Sequence, residues 1–443
     1  MLYTNKDLRK LIIPLVFEQL LSILVGMIDV VMIAGVGEAA VSGVSLVDTV
    51  NVLIINITAA LATGGAVVAG HFLGQKDSEN AGRAAWQLVL FSGVLSIAVT
   101  IVLMGVHKPL LSVMFGQVET EVMDSAVTYL LITALSICPL AIYNACAALF
   151  RAMNDSKTTM KIAVVMNLLN LTGNAILIYG AEMGVAGAAW ATTFSRVVAA
   201  TLIMILMFRG ERTISFKGQV TWQLDGVLIK RILYIGVPNG LENSLFQLGK
   251  ILLLSLISTL GTYAIAANAV CNTLASLNAL PGQAINLALL SVASMCVGAG
   301  DYKQARYYTA KLMKIAIAST AILSVAMVIF APAIMQVYQL SPEAKTLAVQ
   351  VIRWHAVMAV ILWMPSFTLP NTLRASGDVI WTMVIAIASM WIFRIGFAYL
   401  LSSQTNLGLL GVWIAMTVDW LFRAICYCLR YKGDKWQHFR KAN

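Results

Sequence analysis

Two carboxylates, Glu18 and Asp29, stand in the first long apolar run of the chain, residues 11–34. They are eleven residues apart. That is close to three helical turns, so both lie on one helix face, about 16 Å apart along the axis. Ser22 and Gly26 lie between them, and Pro14 comes one turn before Glu18. A carboxylate buried in lipid costs about 2.5–3.5 kcal/mol, so a span that holds two needs a reason. Such acids can bind a mobile cation, carry a proton, or hydrogen-bond a neighbouring helix. Asn167, Asn170 and Asn174 repeat at helical spacing on a later run, where an amide stripe coordinates an ion or bonds helix to helix. Glu242 and Lys250 stand on one run of the second half, two turns apart, too far for a good pair within the helix.

Other mid-span polar residues invite a packing reading. Arg196 and Arg394 need acidic or carbonyl partners at that depth, and the candidates are Asp48, Asp419 or a glutamate. His355 reads as a packing group. Met27, Met358, Trp363, Phe367 and Trp391 would suit an adaptable cavity for flat hydrophobic cations, although most such side chains face lipid or neighbouring helices. No Ser/His/Asp set, His/Cys metal cluster or nucleotide loop is present, so an enzyme is not expected and no cofactor is implied. The six cysteines fall in or beside apolar runs and read as small hydrophobes.

The elements that position these residues follow from composition. Hydrophobic residues make up 60% of the 443 and charged residues 11%. A soluble domain carries about 25% charged residues, so this chain has lipid as its solvent. Twelve spans are expected, at 11–34, 43–72, 85–107, 126–150, 159–181 and 184–208, then 232–257, 266–297, 308–332, 345–371, 379–402 and 408–430. The first is retained rather than removed as a signal.

The net charge of +10 is dealt out one short loop at a time, which excludes a nucleic-acid patch. Lys and Arg collect in alternate loops and in the tail, while Glu38, Glu119, Glu121, Asp124 and Glu182 collect on the other side. This bias puts both termini in the cytoplasm of a cell-membrane protein.

Residues 209–231 are polar, basic and central, and divide the chain into an N-terminal lobe (1–208), a linker (209–231), a C-terminal lobe (232–431) and a basic tail (432–443). At a shift of 224 residues the two lobes repeat. Pro14-x-x-x-Glu18 matches Pro238-x-x-x-Glu242, and Gly74-x-x-Asp77-x-x-x-Ala81 matches Gly298-x-x-Asp301-x-x-x-Ala305. Arg151-Ala152 followed by Asp155 matches Arg374-Ala375 followed by Asp378, with one residue lost, and Gly184-x-x-Gly187 matches Gly408-x-x-Gly411. Six spans per repeat make matched helices parallel. The expected fold is therefore an all-α integral membrane protein of two six-helix bundles, related by a pseudo-twofold axis along the membrane normal. Across the repeat Glu18 pairs with Glu242, but Asp29 pairs with Leu253 and Gly26 with Lys250. A mobile cation therefore belongs in the N-terminal lobe. Asp77 and Asp301 follow glycines and are expected to cap the next helix.

The doubled spans, the Pro14 to Asp29 helix, Gly74-Gln75-Lys76-Asp77, Leu149-Phe150-Arg151-Ala152 and Gly184-Val185-Ala186-Gly187 resemble the MATE (multidrug and toxic compound extrusion) transporters over nearly the whole chain. The resemblance implies an antiporter that exports amphiphilic or cationic small molecules in exchange for Na⁺ or H⁺, acting as a monomer in the bilayer. Asp29 matches the family's coupling acid, Asn174 its span-5 amide, and Pro14 the proline at which the helix bends. Asn170 and Glu18 join Asp29 and Asn174 as candidate ion-coupling residues, with Na⁺ expected at Asp29 and Asn174. Glu242, Glu18, Trp363 and Phe367 are the candidates for the substrate cavity. The acid often found in the family four residues after the span-5 amide is Ile178 here, and the span-10 acid of another branch is Trp363. The alternative is a flippase for a lipid-linked precursor, which needs several deep cations in the N-terminal lobe. Only Arg196 qualifies.

Overall fold

The computed structural model describes residues 2–116, 119–210, 212–338, 340–405 and 407–437. The basic tail expected at 432–443 lies outside them from residue 438 onward. Every regular element of the described residues is a helix. The first half contains α1 (Asn5–Ala34), α2 (Glu38–Gly74), α3 (Ser78–Met114), α4 (Thr120–Ala134), α5 (Ile137–Ala152), α6 (Ser156–Gly180) and α7 (Gly184–Phe208). The second contains α8 (Gly226–Ser258), α9 (Thr262–Gly298), α10 (Tyr302–Gln336), α11 (Pro342–Ala375), α12 (Val379–Ser402) and α13 (Gly408–Lys432). Eleven of these are long and apolar enough to cross a bilayer singly, and α4 with α5 makes the twelfth span.

That composite span was expected as one helix, 126–150. It bends by 49° at Leu135–Ser136. Pro139 has no N–H to offer the Leu135 carbonyl, and two hydroxyls compete for the backbone nearby. Thr133 Oγ1 donates to the Tyr129 carbonyl at 2.7 Å and Ser136 Oγ to the Thr133 carbonyl at 2.6 Å.

The duplicated loops have duplicated backbones. Lys76 (φ 61°) and Gly300 (φ 73°) both turn left-handed, ending one helix so that an aspartate can begin the next. Asp77 then accepts from Asn80 N–H at 3.0 Å and Asp301 from Gln304 N–H at 2.9 Å. The Asn80 side chain and backbone hold the Asp77 carboxyl below its ordinary value. The other repeated loop diverges. Asp155 caps Thr158 N–H at 3.2 Å, whereas Asp378 instead receives Arg430, with Nε at 2.7 Å.

The chain divides into two compact units, Tyr3–Gly240 and Leu241–Lys441. The residues between α7 and α8 pack within the first unit. Trp86 Nε1 of α3 donates to the Thr221 carbonyl at 2.8 Å, Gln87 Nε2 donates to the Gln223 carbonyl at 2.9 Å, and Phe216 packs edge-on to Trp86. The span expected from 232 starts at Gly226 because Asp225 accepts from the Val227 and Leu228 amides, at 3.0 and 3.2 Å.

In each unit the second span is the most buried of the single-helix spans and the first span the least. Thus α2 and α9 make the cores, while α1, which carries Glu18 and Asp29, packs chiefly on α6. Close packing of small residues then sets the end of α6, whose last turn, Ala175–Gly180, is π-helical. A Cβ on Gly187 of α7 would sit 2.8 Å from the Leu177 carbonyl carbon and oxygen of that turn. At Gly411 a Cβ meets the Leu401 and Leu407 side chains at 3.2 Å. Gly187→Ala is therefore expected to lower stability by about 1–3 kcal/mol through overpacking against backbone, and Gly411→Ala by less. Thermal melts of both variants in detergent check the ranking.

Candidate functional site

The N-terminal unit contains a half-open cavity of about 260 Å³ whose lining includes Gly26, Asp29, Asp48, Tyr129, Asn170 and Arg196. Four helices supply the polar groups around Asp29. The helical spacing of Asn170 and Asn174 on α6 puts both amides on the face that α1 covers. Asn174 Nδ2 donates to Asp29 Oδ1 at 2.8 Å. Asn170 is oriented by its partners, with Oδ1 accepting from Thr192 Oγ1 at 3.1 Å and Nδ2 facing the Asp29 oxygens at 3.0 and 3.2 Å. Both amides are buried, and Asn174 Oδ1 is left with no hydrogen-bond partner among the described residues. A buried acceptor without a donor is costly and is an opening for a cation, a water or a proton-bearing group. The π-helical turn begins immediately after Asn174, where irregular hydrogen bonding gives the helix freedom to adjust.

Arg196 of α7 was expected to neutralise Asp48 or another acid. Among the described residues it has no carboxylate within 4.0 Å, and its Nη1 donates to Ser136 Oγ at the α4–α5 break, at 2.7 Å. The cavity therefore holds two carboxylates and one guanidinium without a closed ion pair. Tyr129, Ser195 and Thr192 also line it. Reading the sequence alone missed these three, because tyrosine, serine and threonine inside a span carry no distinguishing pattern.

Glu18 is not brought to Asp29. Thr159 Oγ1 of α6 donates to Glu18 Oε2 at 3.1 Å, and Arg151 Nη1 of α5 lies 3.8 Å from Glu18 Oε1. Its repeat counterpart has the same kind of partner: Arg374 Nη2 lies 2.7 Å from both oxygens of Glu242. Each unit thus ties the glutamate of its first span to the arginine at the end of its fourth. The signal was in the sequence, since opposite charges recur in step at Glu18/Glu242 and Arg151/Arg374.

The other second-unit candidates are packed. Trp363 is buried against Gly282 and lies tilted by 34° against Phe367 with centroids 5.2 Å apart, and Phe367 meets Trp420 edge-on at 5.9 Å. His355 is wedged between Trp413 and Trp420, at 5.3 and 5.5 Å, and its Nδ1 has no hydrogen-bond partner among the described residues. Arg394 has the carboxylate expected for it: its Nε donates to Asp419 Oδ2 at 2.9 Å, and Arg423 Nε donates to Oδ1 at 2.8 Å. Pro14 is buried within α1, which runs unbroken past it. Among the described residues no group of three or more His, Cys, Asp or Glu side chains is placed to hold a metal ion.

The MatE family model matches residues 14–176 and again 238–400, one copy per half. The chain is 26% identical over 445 residues to the "Probable multidrug resistance protein NorM" of Thermotoga maritima, covering 98% of this chain and 93% of that one. It is 26% identical over 430 residues to the "Uncharacterized transporter YisQ" of Bacillus subtilis, covering 96% and 93%. Its fold is similar to a solved structure titled "Outward-facing conformation of a multidrug resistance MATE family transporter of the MOP superfamily", with TM-score 0.90 and 22% identity, covering 96% of this chain and 95% of that one.

Proposed function

The chain belongs to the MatE family, and on that premise we propose that it is a secondary antiporter. It exports amphiphilic or cationic small molecules in exchange for Na⁺ or H⁺, by alternating access of its duplicated halves. The observation that carries this reading is the Asp29 carboxylate, set in the N-terminal cavity with Asp48 and gripped by the two amides of α6. Leu253 occupies its place in the other half.

The coupling set is Asp29, Asn170 and Asn174. Both amides turn N–H groups toward the carboxylate, which stabilises its charged form while no ion is bound. A proton on Asp29, or a Na⁺ that draws the amide oxygens round, replaces those hydrogen bonds. The grip of α6 on α1 then changes. Being the least buried single-helix span of its unit and lacking one backbone donor at Pro14, α1 is the helix that can bend in response. Glu18 and Glu242, tied to Arg151 and Arg374, brace the first span of each half. The distribution of Lys and Arg supports cytoplasmic termini in a cell membrane.

Efflux of a fluorescent organic cation from proteoliposomes tests the reading, under an imposed Na⁺ gradient and, separately, a pH gradient. One of the two gradients is expected to drive uphill movement of the dye. Equal, gradient-independent leakage in both arms would sink antiport.

A further inference from the structure

The C-terminal unit gathers three cations round one phenyl ring. The Phe246 centroid lies 4.7 Å from the Arg394 guanidinium carbon, 5.1 Å from Lys250 Nζ and 5.7 Å from the Arg423 guanidinium carbon. One carboxylate serves the group. Asp419 takes both arginines and the Ser389 hydroxyl, and is fully buried. Lys250 is left over. It is exposed on α8, and among the described residues its ammonium has no ion pair and no hydrogen bond. Glu242, two turns earlier on α8, is already committed to Arg374.

The duplication explains what this arrangement replaces. Lys250 stands at the repeat position of Gly26, which lines the N-terminal cavity. The two acids of that cavity, Asp29 and Asp48, become Leu253 and Asn272 at the same shift of 224. The fifth span, which carries the amides in the N-terminal unit, carries Arg394 in this one. Acids have been lost and cations gained, so the polar side of the second unit has the opposite sign to the first. Three cations against one carboxylate inside a membrane-spanning unit repel one another and call for a counter-anion.

We propose that Lys250, with Phe246 beside it and Arg394 behind, is a subsite for the carboxylate of an aromatic amphiphile. The ammonium donates to the carboxylate and the arginines add long-range attraction. To the cations of the export reading this subsite adds anionic and zwitterionic amphiphiles. The proposal rests on that reading for its physiological meaning but not for its test.

The test is equilibrium binding by fluorescence with purified full-length protein in detergent, using dansylglycine and its uncharged amide, dansylglycinamide. The wild type is expected to prefer the carboxylate at least about tenfold, the worth of one hydrogen bond to a charged group. Lys250→Gln should erase the preference with no change in melting temperature, and Lys250→Arg should keep it. Equal binding of the two probes by the wild type, or an undiminished preference in Lys250→Gln, overturns the subsite. Charge-selective binding in a protein that shows no ion-driven efflux upholds the subsite and sinks only the export reading.

Discussion

Asp29→Asn is expected to reduce ion-driven efflux to the level of protein-free vesicles while the protein still inserts and folds. The substitution removes the one group in the coupling set that can carry a charge. It keeps the shape and an acceptor oxygen for Asn174 Nδ2, which now lies 2.8 Å from the carboxylate. The fold should tolerate the change to within about 1 kcal/mol, because a lost charge-assisted hydrogen bond is offset by relief from burying a charge. Asp29→Glu separates charge from placement: it keeps a carboxylate but moves it by a methylene within the cavity. Its efflux should be weak rather than absent. Paired melting curves and gradient-driven efflux on the same preparations check both variants. Efflux at the wild-type rate in Asp29→Asn would remove Asp29 from the coupling step.

The second large effect concerns stability. Asp419 is fully buried between Arg394 and Arg423, with the Ser389 hydroxyl donating to it. Asp419→Ala leaves two guanidinium groups facing each other with no counter-charge, in a unit whose surroundings are largely lipid. Breaking a buried pair from one side costs about 3–5 kcal/mol, enough to cut folded yield sharply. The arginines are the source of the damage, so replacing both by methionine in the Asp419→Ala background should restore much of the loss. Arg423 also donates Nη2 to the Ala386 carbonyl at 3.0 Å, so full recovery is not expected. Melting temperature and monodisperse yield measure the effect. An unchanged melting temperature in Asp419→Ala would show that the cluster does not hold α12 to α13.

Much of the architecture was legible in the chain. Twelve apolar runs and the doubled motifs announced a duplicated helical membrane protein, because the lack of water in a bilayer forces backbone hydrogen bonds into helices. The caps at Asp77 and Asp301 were readable for the same local reason. The broken fourth span was not. Pro139 is visible in the sequence, but a proline three residues into a helix is compatible with either a kink or a fresh start.

Charge partners divided in an instructive way. Asp29 and Asn174 could be grouped because the resemblance to the MATE transporters pairs an acid of the first span with an amide of the fifth, and helical spacing puts Asn170 on the same face as Asn174. Arg196 could not be assigned from the same reasoning. It sits beside two acids yet bonds a serine at a helix break, a partner that no periodicity announces.

By itself, then, the sequence determined the class of fold and its duplication, because hydropathy and helical periodicity act locally along the chain. Which groups meet across helices was decided only by the tertiary structure. Glu18 went to Arg151 rather than to Asp29, although both acids share a face of α1. The reason is geometric: one helix face about three turns long meets different neighbours at its two ends, and only packing says which.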